Sequence, residues 1–156
     1  MNPYYDYGMG AAVGVGVLAV LATILASLFF LALYLLFAFG LFTMAKKREM
    51  ANPWMAFIPL ANFYLLGKLI GPFYVLKYLI NPPEIILIIV GVLFFGLTWI
   101  PYAGSLLASV ALVVLLFGLY TLYSRLDNEK AFFYTIVSAV LPTIAIPILF
   151  FMLRNK

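Results

Sequence analysis

A chain of 156 residues with 67% hydrophobic and only 9% charged side chains lies far from the soluble average of about half apolar and about a quarter charged, which excludes an aqueous globular fold. Net charge is +4, yet no basic run is longer than Lys46-Lys47-Arg48, so the charge reads as membrane orientation and not as nucleic-acid binding. Cysteine and histidine are both absent, which removes disulfides, thiol nucleophiles, Cys/His zinc sites and haem-ligating histidines, and no cofactor is implied.

The expected fold is an all-α integral membrane protein forming one membrane domain over residues 1–156, with room for a handful of spans of ~20 residues each. The start MNPYYDYGMG has no basic n-region and bears Asp6, so the apolar run behind it is expected to stay attached as a first span, about 10–44. That run ends at Lys46, Lys47, Arg48 and Glu49. It is longer than a bilayer core requires, so the helix must tilt or project. Gly10, Gly14 and Gly16, continued by Ala19, Thr23 and Ala26, trace a small-residue face for packing within the chain, with a homodimer seam as the alternative.

Residues 51–71 are apolar but interrupted. Asn52-Pro53 makes a helix start, with Asn as N-cap and Pro at the first helical position. Pro59 then falls inside the helix and favours a kink. Trp54 and Lys68 are too close together for a crossing, so an interfacial or re-entrant element is expected. With the aromatic piece Phe73–Ile80, broken by Lys77 and closed by Asn81-Pro82-Pro83, the interfacial segment covers about 51–80. Further spans are expected at about 84–100 and 105–123, joined by the uncharged turn Trp99-Ile100-Pro101-Tyr102-Ala103-Gly104, and at about 131–153, where Pro142 and Pro147 predict a bent or broken helix.

Counting basic residues by side arbitrates the topology. Four spans with the N-terminus outside place Lys46, Lys47, Arg48, Lys68, Lys77, Arg125 and Lys130 inside and leave Arg154 and Lys156 outside. Five spans divide the charges more evenly, five inside against three outside, and bury Lys68, so four are preferred. A last segment that turns back and keeps all nine basic groups inside stays open. An internal echo fits this orientation: Phe39-Gly40-Leu41-Phe42-Thr43 resembles Phe117-Gly118-Leu119-Tyr120-Thr121, and both lead into charged loops.

Candidate chemistry is sparse. Asp6, Glu49, Glu84, Asp127 and Glu129 all sit at ends or loops, which counts against a proton or ion pump. Ser105, Ser109 and Ser138 have no neighbouring base in sequence, and hydrogen bonding between helices accounts for them better than nucleophilic catalysis. Gly8 to Gly16 matches no phosphate-binding loop. Trp54, Tyr64, Tyr120, Tyr123 and Tyr134 suit an inner aromatic belt, while Tyr4, Tyr5, Tyr7, Trp99 and Tyr102 suit an outer one. Lys68 and Lys77 suit anionic head groups.

The run Asn52-Pro53-Trp54-Met55-Ala56-Phe57-Ile58-Pro59-Leu60-Ala61-Asn62-Phe63-Tyr64, continuing to Lys68, resembles the W-x-A-x-I-P-x-x-N-x-Y signature of the DUF5684-like group of small bacterial integral membrane proteins. It departs at Phe63, where that group often has a smaller or β-branched residue. The resemblance implies a bacterial cytoplasmic membrane and carries no established activity.

The function expected from these features is that of a non-enzymatic accessory or scaffold subunit of a larger membrane assembly. Its contacts are membrane lipids and a protein partner in the membrane, with homo-oligomerisation as an alternative and no nucleic acid. Trp54, Pro59, Asn62, Tyr64, Lys68 and Lys77 are the candidate partner- or lipid-contacting residues, and no catalytic or metal residue is named. A transporter or channel component is the second reading and a lipid-active enzyme the third.

Overall fold

A computed structural model describes the backbone of residues 3–97 and 103–156, and side chains from residue 13 onward except at 94, 95, 97–103 and 108. Helix α1 (Pro3–Lys47) is followed by a single 3-10 turn (Pro53–Phe57), α2 (Ala61–Ile70), a two-stranded hairpin β1 (Phe73–Val75) and β2 (Tyr78–Ile80), then α3 (Pro83–Leu97), α4 (Ala103–Leu126), α5 (Ala131–Val140) and α6 (Pro142–Leu153). The fold is all-α apart from the hairpin, whose strands pair antiparallel with Phe73 opposite Ile80.

Helix α1 has 45 residues, about 67 Å at 1.5 Å per residue. Lys46 and Lys47 in its last turn complement the helix dipole. The chain leaves through Glu49 at φ 52°, with Glu49 N–H donating to Lys46 O and Met50 N–H to Ala45 O, the paired bonds of a Schellman stop. From there it runs back along α1, so that the Phe57 ring meets Phe39 and Phe42 and the Tyr34 hydroxyl donates to Phe57 O. The direction reverses through residues 58–60, and α2 descends to end beside Arg48. Helix α3 then climbs along α2, with Glu84 against Gly67 and Gly91 against the Phe63 ring. Helix α4 descends, α5 climbs along it, and α6 descends on α1. Phe37 meets Phe150, Gly40 meets the Phe150–Phe151 backbone, and Lys47 donates to Asn155 O.

Close approach is set by small residues. A Cβ on Gly40 would sit 2.7 Å from the carbonyl carbon of Phe150, and one on Gly67 would sit 2.4 Å from Glu84 Cα. Around these contacts Leu41, Leu65, Leu69, Leu87, Leu119 and Phe150 form a fully buried core. The sequence echo occupies matching places. Leu41 and Leu119 are core residues, Thr43 and Thr121 each donate to the carbonyl four residues earlier, Gly40 receives α6, and Gly118 receives Ile70 and Phe73.

Several expectations are corrected. Among the described residues two helices, not four, are long and apolar enough to cross a membrane: Val13–Lys47 and Gly104–Leu126. Residues 131–153 are not one span. They form two helices of 10 and 12 residues that reverse at Leu141-Pro142, where Pro142 has no N–H to continue the first, and both outer ends lie together because Lys156 pairs with Asp127. Of the span expected at 84–100, the 15-residue α3 supplies residues 84–97, and residues 98–100 lie outside the described chain. The Trp99–Tyr102 turn also lies outside the described residues.

Asn52 does flank a proline-initiated turn, but in left-handed conformation without a side-chain cap bond, and Pro59 stands in the reversal, not inside a helix. Gly14 and Gly16 face open space, with none of the described residues packed against them; Gly10 lies outside the described side chains. Every residue from Val13 to Ala32 is exposed.

Gly40→Ala and Gly67→Ala should each lower stability by about 1–3 kcal/mol through overpacking against backbone, whereas Gly14→Ala should be neutral or slightly stabilising. Thermal unfolding in a mild detergent measures both, and a neutral Gly40→Ala would contradict the seating of α6.

Candidate functional site

Two regions bring polar or concave features together. The first is the basic end of the bundle. Helix α2 ends with carbonyls that lack intrahelical donors. Arg48 Nη1 donates to Leu69 O at 2.6 Å, and Arg125 Nη1 donates to Ile70 O at 2.5 Å. Gly71, at φ 68°, turns the chain directly under Arg125, where a side chain would meet the guanidinium. Burial and then the neighbouring Arg125 push the Arg48 pKa down, although an arginine keeps its charge. Lys156 hydrogen-bonds Asp127 and thereby holds that carboxyl below the usual carboxylate range, against a smaller opposing effect of desolvation. Lys46, Lys130 and Arg154 belong to the same end, Lys68 lies in the last turn of α2, and Lys77 lies in the hairpin just after it.

The second region is an apolar cleft of about 470 Å³ where the two chain reversals meet. Phe63 of α2 and Pro142 and Thr143 of α6 line it together with Leu33, Tyr34 and Phe37 of α1 and Leu115 and Leu119 of α4. A smaller cavity of about 280 Å³ lies behind Phe63, against Val90, Ala111 and Leu112. The Tyr34 hydroxyl is engaged by Phe57 O, and the lining carries no carboxylate, amine or guanidinium. Such a surface suits an acyl chain or an apolar helix face, not a polar solute.

The residues singled out from the sequence are dispersed. Trp54 is exposed on the 3-10 turn and Pro59 is exposed at the reversal. Asn62 is buried at the start of α2, where its Oδ1 has no hydrogen-bond partner. Lys68 lies 4.6 Å from the centre of the Tyr64 ring, and Lys77 is exposed in the turn between β1 and β2. They do not form one site. Ser138 is buried and hydrogen-bonded to the Tyr123 hydroxyl between α5 and α4, whereas Ser109 is exposed and donates to Ser105 O within α4.

The cleft residues Tyr34, Phe63 and Thr143 were not among those candidates. In the sequence Pro142 signals a break in the last helix, and Phe63 is the departure from the signature. Its ring is seated on Gly91, a long-range pairing that no local pattern announces. Comparison with known proteins finds no matching family model, no matching curated protein and no matching solved structure.

Two outcomes follow for the basic end. Arg125→Gln should cost about 1.5–3 kcal/mol by removing a charge-assisted bond from Ile70 O, seen as a lower unfolding midpoint. The Asp127–Lys156 pair contributes fully above the ordinary carboxylate pKa of about 3.9 and is lost as pH falls through the lowered folded value. Acid titration of unfolding should therefore show a steeper loss in the wild type than in Asp127→Asn. Equal slopes would remove the pair from the fold's stability.

Proposed function

We propose that this chain is a non-enzymatic, multi-pass membrane protein that serves as an accessory or scaffold subunit of a larger membrane assembly. The observation that carries this reading is the upper half of α1. Twenty consecutive residues from Val13 to Ala32, about 30 Å of apolar helix, are exposed, and among the described residues nothing lies within 4 Å of where a Cβ on Gly14 or Gly16 would stand. A helix with an open small-residue face is built for another helix. In this reading α1 and α4 cross the bilayer, α3 returns the chain between them, and residues 51–70 and 131–153 enter and leave on the basic side. All nine lysines and arginines then face the cytoplasm and the N-terminus lies outside. The signature resemblance of residues 52–68 agrees with a bacterial cytoplasmic membrane.

Purification in mild detergent tests the assignment. Recovery with a partner of fixed stoichiometry, lost on Gly14→Leu, is expected; a monodisperse protein that alone moves a solute into liposomes would replace it with the transport reading. That second reading draws on the paired chain reversals, a device of transporters, and the apolar cleft limits its cargo to apolar molecules.

Topology is tested separately by single cysteines at Asn81, Asn128 and Asn155 in this cysteine-free chain. All three should resist an impermeant reagent applied from outside. External labelling of Asn155 alone would restore a crossing by the last segment.

A further inference from the structure

The nine cations are not spread evenly over their end of the bundle. Where α1, α4 and α6 finish together, a pocket of about 340 Å³ is lined by Lys47, Arg48, Arg154 and Lys156, with Met44 and Leu126 as its apolar floor. Four basic side chains thus converge on one concavity. Their partners account for only part of this charge. Lys156 is paired with Asp127, Lys47 donates to Asn155 O and Arg48 to Leu69 O. Both of the latter are neutral carbonyls.

Arg154 is the least satisfied of the four. Its guanidinium carbon lies over the Phe151 ring, 3.5 Å from the ring centre, and its Nη1 is buried with no hydrogen-bond partner among the described residues. A buried donor of a charged group left unpaired is costly, and stacking on an aromatic ring fixes the guanidinium plane without using its N–H groups. The arrangement therefore places an under-satisfied guanidinium, a second guanidinium and two amines around a space large enough for a tetrahedral oxyanion.

We propose that this pocket binds a phosphate-bearing anion, with the Arg154 guanidinium as the principal ligand and Lys47, Arg48 and Lys156 completing the charge. The phosphate could belong to a phospholipid head group or to a soluble phosphate compound. The exposed apolar side chains of α6 beside the pocket, Phe151, Met152 and Ile148, are placed to meet the acyl portion of a lipid. The site is distinct from Lys68 and Lys77, which lie on α2 and the hairpin.

The test uses the full chain purified in a neutral detergent, with the shift in unfolding midpoint as the readout. Phosphatidylglycerol is titrated against diacylglycerol of the same chain length, and inorganic phosphate against chloride at matched ionic strength. Stabilisation by phosphatidylglycerol alone supports the site with a lipid as its source; stabilisation by inorganic phosphate as well supports it with the phosphate group sufficing. In either case Arg154→Gln and Lys47→Gln should each weaken the half-saturating concentration about tenfold, the loss expected for one charge-assisted bond. Lys46→Gln, which removes the same charge from the same end outside the pocket, should change it less than about threefold. If Arg154→Gln fails to fold, Lys47→Gln and Arg154→Lys carry the comparison, the latter keeping charge but losing the planar fork. Equal responses to phosphatidylglycerol and diacylglycerol with none to phosphate, or an effect of Lys46→Gln as large as that of Lys47→Gln, would overturn the proposal.

Discussion

Everything at the basic end depends on two guanidinium groups donating to successive carbonyls. Arg48 comes from the end of α1 and Arg125 from the end of α4, and they meet at Leu69 O and Ile70 O, the last turn of α2. A helix end buried without partners would be expensive, and here the donors come from two separate helices. The same pair of bonds therefore caps α2 and ties α1 to α4 through it. Gly71 is required at that point because only a residue without a side chain fits beneath the Arg125 guanidinium while also adopting a positive φ.

In a bilayer this constraint sharpens. Backbone groups away from water must be satisfied inside the protein, so a chain that turns back at mid-depth needs its reversal shielded by other elements. Both reversals are exposed, at Ile58 to Leu60 and at Leu141, and part of their backbone is satisfied from within the chain. Residues 58–60 sit beside α1, with Phe57 O bonded by Tyr34, and Leu141-Pro142 passes beneath Phe30 and Phe29, with Leu141 O accepting from Ala145 N–H. The cleft is apolar because its described lining consists of leucine, isoleucine, phenylalanine and proline side chains together with the Tyr34 ring and Thr143.

How much of this could be read from residues varies with the range of the interaction. Asn52, Pro59 and Lys68 mark residues 51–71 as a segment unsuited to a plain crossing, and the chain does run up and back there. Pro142 marks where the last helix breaks. What a proline cannot convey is the direction taken afterwards. That is decided by Gly40, whose bare backbone accepts Phe150 more than a hundred residues away, and by Asp127 meeting Lys156. The charge count held a hint, since returning the last segment gathers every basic residue on one side. The basic pocket is less legible still, because Lys47 and Arg48 lie more than a hundred residues from Arg154 and Lys156. The hairpin at 73–80 was hidden by its three-residue strands, too short for any alternation to register.

The seating of α6 on α1 has a kinetic side. Lys47 and its acceptor at Asn155 are separated by 108 positions, so the groove at Gly40 cannot be filled until the last helix has been made. Contacts of such high sequence separation form late, and the surface awaiting them stays uncovered throughout the synthesis of everything between. Until then the vacant groove accepts any matching helix, including α6 of a neighbouring copy. Arm exchange between copies is thus the misassembly to which this architecture is most exposed.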